Sequence, residues 1–138
     1  MKISPYFGML LLGSLFVLSC DEDNPVSGHV NPLVGVWEMT QIQLTVDGDE
    51  TIITSDEDFN LVMVYNIDGT FSYTGENING DDFNGNGTWS TNGSKLTTIE
   101  DDGTNVLDFS ISGNTLIISD TDIEESVTTV REVIYIKI

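Results

Sequence analysis

The chain has 138 residues, and its 23 acidic side chains against four Lys and Arg give a formal net charge of −19. A surface this acidic is repelled by nucleic acid and by anionic lipid headgroups, so we exclude nucleic acid as a partner. The chain contains a single cysteine, which excludes an intramolecular disulfide.

The chain begins with a short positive start and an apolar run. Lys2 precedes the apolar residues 6–18, which suit the core of a signal peptide and are too short to span a bilayer comfortably. The ending Val17-Leu18-Ser19-Cys20 resembles a bacterial lipobox, in which the cysteine is lipidated and becomes the first mature residue. We therefore predict a lipoprotein signal peptide over residues 1–19 and lipid attachment at Cys20. The alternative is an ordinary secretory signal that happens to contain a cysteine.

Residues 20–32 are predicted to form an acidic tether, because they contain two prolines and show no periodicity. Cys20-Asp21-Glu22-Asp23 resembles the acidic signal that directs certain Gram-negative lipoproteins to the outer face of the outer membrane. In other Gram-negative bacteria an Asp directly after the cysteine favours retention in the inner membrane, and a plain solvated spacer is a further alternative. We expect an exported protein, lipid-anchored in the outer membrane and facing the periplasm or the cell surface.

Residues 33–138 show no helical period and are predicted to form a single all-β domain. Short runs of Val, Ile, Thr, Tyr and Phe alternate there with Gly, Asn and Asp, and all three prolines lie at or before Pro32. The pattern predicts eight strands, over residues 34–46, 60–67, 70–76, 87–91, 94–100, 104–112, 115–121 and 126–138. A further short strand is expected at Thr51-Ile52-Ile53-Thr54.

The turns decide which side chains share a face. Asn92-Gly93 and Gly113-Asn114 are predicted to form two-residue hairpin turns, because these residues tolerate positive φ. Around Ile67-Asp68-Gly69 we predict a three-residue loop with a left-handed Gly69, since only that loop places the neighbouring large apolar side chains on one face. Antiparallel strands joined in sequence, each with one apolar face, predict an eight-stranded up-and-down barrel. An open two-sheet sandwich is the structural alternative.

Three segments carry a resemblance to a known family. Leu33-Val34-Gly35-Val36-Trp37, Asn66-Ile67-Asp68-Gly69-Thr70-Phe71 and Gly87-Thr88-Trp89-Ser90 resemble the lipocalin-like lipoproteins, whose barrels open with a Gly-x-Trp motif on the first strand. The resemblance covers residues 33–138 and implies a small barrel that holds an apolar ligand. In true lipocalins an Arg near the last strand packs on the motif tryptophan. The resemblance therefore assigns barrel closure to Trp37 and Arg131 through a cation–π contact.

Two interpretations of the barrel interior are compatible with the sequence. In the first, a small apolar or amphipathic ligand is lined by Met63, Tyr65, Tyr73 and Phe109, with Trp89 nearby. In the second, the same large side chains fill a narrow barrel completely and the protein acts through its surface as an interaction or structural module.

Most of the acids fall in the predicted loops at one end of the barrel, the mouth, at residues 47–59, 77–86, 100–103 and 120–125. Mutual repulsion of these carboxylates is relieved by solvation and salt, by a divalent cation, or by a basic ligand or partner. Asp82-Phe83-Asn84-Gly85-Asn86-Gly87 matches the opening of a calcium loop, although its twelfth position is Gly93 instead of Glu. A calcium site would therefore combine Asp82, Asn84 and Asn86 with Asp120 and Asp122.

The sequence predicts no enzymatic activity. The only histidine, His29, lies in the tether, so no Ser-His-Asp set can form within the barrel. No thiol nucleophile remains once Cys20 carries lipid. A pair of mouth carboxylates acting as in a glycosidase is the remaining alternative, and it lacks a predicted apolar pocket to raise a pKa.

Overall fold

The computed structural model describes residues 30–138, which fold into strands and turns. The predicted signal peptide, Cys20 and His29 lie outside the described residues. The strands are β1 Gly35–Val46, β2 Asp49–Thr54, β3 Asn60–Tyr65, β4 Thr70–Glu76, β5 Asp82–Asn92, β6 Lys95–Glu100, β7 Gly103–Ser112, β8 Thr115–Glu124 and β9 Val127–Lys137. No helix in residues 30–138 has the length and apolarity needed to cross a membrane.

The strands close into a barrel. From β3 to β9 each strand pairs antiparallel with the next, and β1 pairs with β3 on one side and β9 on the other. The short strand expected at Thr51–Thr54 is part of β2, which pairs with the second half of β1 and supplements the eight barrel strands. The eight-stranded antiparallel up-and-down barrel is confirmed. The sandwich is excluded because the β1–β9 pairing joins the first and last strands.

A β-bulge in β1 keeps its apolar side chains on the inner face. The register against β9 shifts between Met39 and Gln41, where one extra residue is inserted. Strict alternation would place Gln41 on the same face as the buried Trp37 and Met39. Because of the inserted residue, Ile42 instead of Gln41 points to that face, and Ile42 packs against the core. The sequence prediction of one regular strand over residues 34–46 missed this change of phase.

The loop between β3 and β4 has the predicted three-residue form. Asn66 donates a backbone hydrogen bond of 2.8 Å to the Thr70 carbonyl oxygen, and Gly69 has a φ of 84°. Tyr65 consequently pairs with Phe71, and both side chains are buried. The shared face that decided the turn prediction is therefore confirmed.

The turn between β5 and β6 lies one residue later than predicted. Asn92 pairs with Lys95, so the loop consists of Gly93 and Ser94. Gly93 has a φ of 59°, as the first central residue of a type II′ turn requires. The predicted Gly113-Asn114 turn is confirmed, because the residues on its two sides pair with each other.

The turns alternate between two ends of the barrel. The tight turns at residues 66–69, 93–94 and 113–114 share one end, the base, and the acidic turns share the other end, the mouth. Three predicted mouth loops are partly strand, since β2 lies within residues 47–59, β5 begins at Asp82 and β8 continues to Glu124. The up-and-down order therefore brings the acid-rich connections to one rim, as predicted.

Residues that precede β1 close the base. The compact unit begins at Asn31, whose amide donates a hydrogen bond of 2.9 Å to the Thr91 hydroxyl. Leu33 is fully buried, and its carbonyl oxygen accepts a hydrogen bond of 2.8 Å from the buried Trp37 indole. Asn31 and the neighbouring Pro32, which the sequence places in the tether, thus lie against the barrel. Because the base is closed, the mouth is the open end of the barrel.

Candidate functional site

The barrel interior contains a cavity of about 270 Å³ that is partly open to solvent. Its wall is drawn from strands β3 to β9, and it is mainly apolar and aromatic because the inward-facing residues of a barrel alternate with the outward-facing ones. The apolar and aromatic lining residues are Leu61, Met63, Tyr65, Phe71, Tyr73, Phe83, Leu96, Leu107, Ile118, Val133 and Tyr135.

One wall of the cavity is built from aromatic rings that lie over glycines of the neighbouring strand. The cross-strand pairs are Phe71 with Gly87, Tyr73 with Gly85, and Phe83 with Gly75. A side-chain carbon added at Gly85 would come within 2.7 Å of a Tyr73 ring carbon, so no larger residue fits there without moving the ring. The glycines of β5 therefore set the position of the rings and the width of the cavity.

At the rim, Tyr73 and Glu100 are joined by a hydrogen bond. The Tyr73 hydroxyl donates to a Glu100 carboxylate oxygen at 3.0 Å, and both residues line the cavity. This hydrogen bond is the main cause that raises the pKa of the Tyr73 phenol, and burial and the negative charges of Glu100 and Asp102 act in the same direction. The rim next to Tyr73 is consequently a region of negative potential.

Arg131 lies at the mouth and does not close the base, so its predicted contact with Trp37 is wrong. Arg131 pairs with Leu44 in the second half of β1, lines the cavity and places a guanidinium nitrogen 3.8 Å from a carboxylate oxygen of Asp120. The cation over the Trp37 ring is Lys137, whose nitrogen lies 5.2 Å from the ring centroid. β9 runs from mouth to base, and Arg131 lies too early along it to reach Trp37.

Two buried phenols lie deep in the barrel. Tyr65 and Tyr135 are 1% and 4% exposed, and burial raises the pKa of both hydroxyls. The charge of an ionised Tyr135 would raise the pKa of Tyr65 further. Among residues 30–138 no hydrogen-bond partner reaches the Tyr65 hydroxyl. A buried, unpaired hydroxyl is costly, and this one is enclosed in the packing of the cavity wall, with almost none of its surface exposed.

Three of the five predicted ligand-contacting residues line the cavity: Met63, Tyr65 and Tyr73. Trp89 and Phe109 pack against the core instead. The Trp89 indole is held at the base by hydrogen bonds to the carbonyl oxygens of Asn66 and Thr70, at 3.1 and 3.0 Å.

Sequence reasoning missed several residues of the cavity. Thr98, Glu100 and Asn105 belong to the lining, as do Asp120 and Arg131. Inward alternation along β6 and β7 contained the signal for Thr98, Glu100 and Asn105, because each lies an even number of residues from an inward-facing Leu of the same strand. The core was predicted from apolar residues alone, so these polar residues were not assigned to the barrel interior.

The predicted calcium loop is wrong. Asp82, Asn84 and Asn86 lie on β5, where they alternate with inward-facing residues and point outward at intervals of two. Side chains spaced in this way along an extended strand lie about 7 Å apart and do not converge on one ion. Asp120 and Asp122 lie on β8, which does not pair with β5. Within residues 30–138 no three His, Cys, Asp or Glu side chains form a group that would hold a metal.

Comparisons with known proteins agree with this geometry. The sequence model of a family described as a lipocalin-like domain matches residues 33–118. Among solved structures, the chain is similar to a lipocalin-like protein from Bacteroides uniformis ATCC 8492, with a TM-score of 0.52 and 18% sequence identity over 78% of this chain and 100% of that chain. At this identity the similarity concerns the fold. Among curated proteins, no sequence matches.

Proposed function

Because the chain belongs to the lipocalin-like domain family, we propose that it is a non-enzymatic binding protein that takes up a small apolar or amphipathic molecule inside its barrel. The observation that carries the proposal is the cavity of about 270 Å³ with its mainly apolar and aromatic wall. Binding sites for small molecules are typically concave and apolar, with a few polar groups that orient the ligand.

The closed base and open mouth support the proposal. Leu33 and Trp37 seal one end, so a ligand enters from the other. Glu100, Asp120 and Arg131 are the charged residues of the lining in the described structure, and they supply the orienting polar groups. In the proposed function none of the three has a catalytic role: Glu100 accepts a hydrogen bond from Tyr73, and Asp120 lies beside Arg131.

We further propose that a lipid on Cys20 holds the protein at the outer membrane. The lipobox-like sequence before Cys20 supports this, as does the acidic segment after it. Residue 31, where the barrel joins the preceding segment, lies at the base. The acidic rim at the mouth is then free to meet ligand, and a basic partner at this rim remains a prediction.

Fluorescence of the uncharged dye N-phenyl-1-naphthylamine tests uptake into the cavity. The dye should brighten on adding the protein, because it passes from water into an apolar site. Leu107→Trp places a larger side chain in the cavity and should weaken dye binding about tenfold or more. Val106→Trp is the matched control, since Val106 is the outward-facing neighbour and is 60% exposed. Equal binding by Leu107→Trp and the wild type would refute uptake of the dye into the cavity.

Detergent phase partitioning tests the anchor. The wild-type protein expressed in a Gram-negative host should enter the detergent phase, and Cys20→Ser should remain in the aqueous phase. Ser19→Ala changes the residue before the lipidation position and should still partition with detergent. A Cys20→Ser protein that stays in the detergent phase contradicts lipid attachment at this residue.

A further inference from the structure

The charges at the mouth of the cavity do not balance. Arg131 is the basic residue of the lining in the described structure, and Asp120 lies 3.8 Å from it. Glu100 is bonded to a neutral hydroxyl, so its charge is left without a counterion in the lining. Asp101 and Asp102 follow Glu100 in the turn to β7. The cavity therefore presents a net negative rim to an incoming molecule.

The raised pKa of the Tyr73 phenol is consistent with this potential. Besides the hydrogen bond to Glu100 and burial, the charges of Glu100 and Asp102 disfavour a phenolate at this position. The same charges disfavour the carboxylate of a fatty acid and favour a cation.

The size of the cavity restricts the ligand to a short molecule. At about 270 Å³ it is larger than the ~150 Å³ cavity that accommodates benzene and lies just below the usual range for drug-sized ligands. Tyr65 pairs with Phe71, which lies two residues before Tyr73 on β4. The backbone positions of Tyr65 and of the rim are thus separated by only about 7 Å along the strand. A ligand of one or two rings spans this distance.

The inner part of the cavity is lined by the ring of Tyr65. Tyr65 lines the cavity, is 1% exposed, and its hydroxyl meets no hydrogen-bond partner among residues 30–138. Two aromatic rings pack against the Tyr65 ring: the Phe71 ring stacks at 6.0 Å between centroids and the Trp89 ring meets it edge-on at 5.7 Å. The hydroxyl is enclosed in this packing, so Tyr65 offers a ligand the surface of its ring.

Resting on the proposed function, we propose that the ligand class is small cationic amphiphiles: one or two rings, with the ring end beside Tyr65 and a positive group at the rim beside Glu100. The ring lies between the aromatic wall of β4 and β5 and the aliphatic side chains of β7 and β9. Anionic amphiphiles of the same size are disfavoured by the rim.

Isothermal titration calorimetry with four matched probes tests this assignment. The probes are 4-(2-aminoethyl)phenol, its uncharged analogue 4-ethylphenol, the anion 3-(4-hydroxyphenyl)propionate, and 2-phenylethylamine, which lacks the ring hydroxyl. We expect the hydroxylated amine to bind about tenfold more tightly than the neutral phenol and more tightly still than the anion. The preference for the amine should shrink as salt rises, because the rim is open to solvent.

Two substitutions locate the contact with the positive group. Glu100→Gln keeps an acceptor for the Tyr73 hydroxyl and removes the charge, so it should remove most of the preference for the amine over 4-ethylphenol. Glu38→Gln removes the same charge from an exposed position on β1 and should leave the preference unchanged. 2-Phenylethylamine should bind about as tightly as 4-(2-aminoethyl)phenol, because the positive group of each amine makes the contact with Glu100.

The outcomes separate this inference from the proposed function. If N-phenyl-1-naphthylamine and 4-ethylphenol bind but the amine has no advantage, or if the anion binds best, the cationic ligand class is refuted and the binding function stands. An amine preference that Glu38→Gln reduces as much as Glu100→Gln refutes the assignment of the contact to Glu100. If neither the dye nor any probe binds, the proposed function itself fails.

Discussion

The ammonium group of Lys137 lies 5.2 Å from the centroid of the Trp37 ring, at the point where the last strand returns to the first. The Lys137 nitrogen also lies 3.5 Å from the Pro32 carbonyl oxygen, and its stem covers Gly35. A cation–π contact between the two ends of the sheet thus covers the base.

Replacing Lys137 tests this contact. We expect Lys137→Gln to lower the free energy of unfolding by about 0.5–1 kcal/mol, the usual value for a cation–π contact at an exposed position. Arg131→Gln should change it by less than about 0.5 kcal/mol, because Arg131 contacts the exposed Asp120 at the mouth. Urea denaturation followed by tryptophan fluorescence measures both. A larger loss for Arg131→Gln than for Lys137→Gln would reverse the assignment.

Substitution of Gly87 should be costly. A side-chain carbon at this position would collide with the Ile99 carbonyl oxygen and come within 2.9 Å of the Phe71 ring, and backbone cannot move aside as a flexible side chain does. We expect Gly87→Ala to destabilise the barrel by about 1–3 kcal/mol. Asn86→Ala, at the exposed neighbour on β5, is the control and should lie within about 0.5 kcal/mol of the wild type. Thermal melts of the two variants decide the prediction.

The stability of the protein should depend measurably on pH in the acid range because of the turn at Asp68. The Thr70 hydroxyl donates to the Asp68 carboxylate at 2.6 Å and the Thr70 backbone N–H at 3.0 Å. The hydroxyl contact is the larger cause that holds the pKa of Asp68 below its ordinary value of 3.8. The folded state then binds this proton less tightly than the unfolded state, so the stabilisation is present above pH 3.8 and is lost as the pH falls through the lowered pKa.

Asp68→Asn should therefore reduce the stability difference between neutral and strongly acidic pH. Asp101→Asn, which removes one charge from the mouth turn between β6 and β7, serves as the control for net charge. Urea titrations at a series of pH values give the comparison. Identical pH profiles for Asp68→Asn and Asp101→Asn would rule out a specific role for the carboxylate of Asp68.

At alkaline pH the buried phenols should control unfolding. The pKa values of Tyr65 and Tyr135 are raised by burial above the ordinary value of 10.0, so the folded state holds these protons more tightly than the unfolded state. The resulting stabilisation is complete below pH 10 and is lost as the pH rises further.

We expect the absorbance of ionised tyrosine to contain a late step that coincides with loss of the far-ultraviolet circular dichroism of the strands. Tyr65→Phe should move that step to higher pH and should not lower stability at neutral pH, because its hydroxyl has no partner within residues 30–138 to lose. Tyr73→Phe removes a phenol from the rim and should shift the step less. Complete ionisation of tyrosine in the folded protein would contradict the prediction.

The fold was predictable from local patterns. Alternation of large apolar residues located the strands, and the face shared by Tyr65 and Phe71 decided the turn that joins β3 to β4. The bulge in β1 was readable in principle, because the apolar face changes phase between Met39 and Ile42. It was missed because the strand was treated as regular.

The two wrong site assignments have a common cause. The motif from Asp82 to Gly87 has the composition of a loop, yet pairing with β4 extends it into a strand and directs its polar side chains outward. Arg131 has the residue type expected to cover Trp37, yet the register of β9 against β1 brings Lys137 there. In both cases a short segment fits two structures, and hydrogen bonds to a distant strand select one.

The sequence alone determined the class of fold, the order of the strands and the end of the barrel at which the acids collect, because alternation and turn chemistry depend on neighbouring residues. Only the tertiary structure decided whether the interior is filled, which cation covers the base, and which carboxylates reach the cavity. These properties depend on how eight strands are staggered when the sheet closes, and that stagger is set by contacts between residues far apart in the chain.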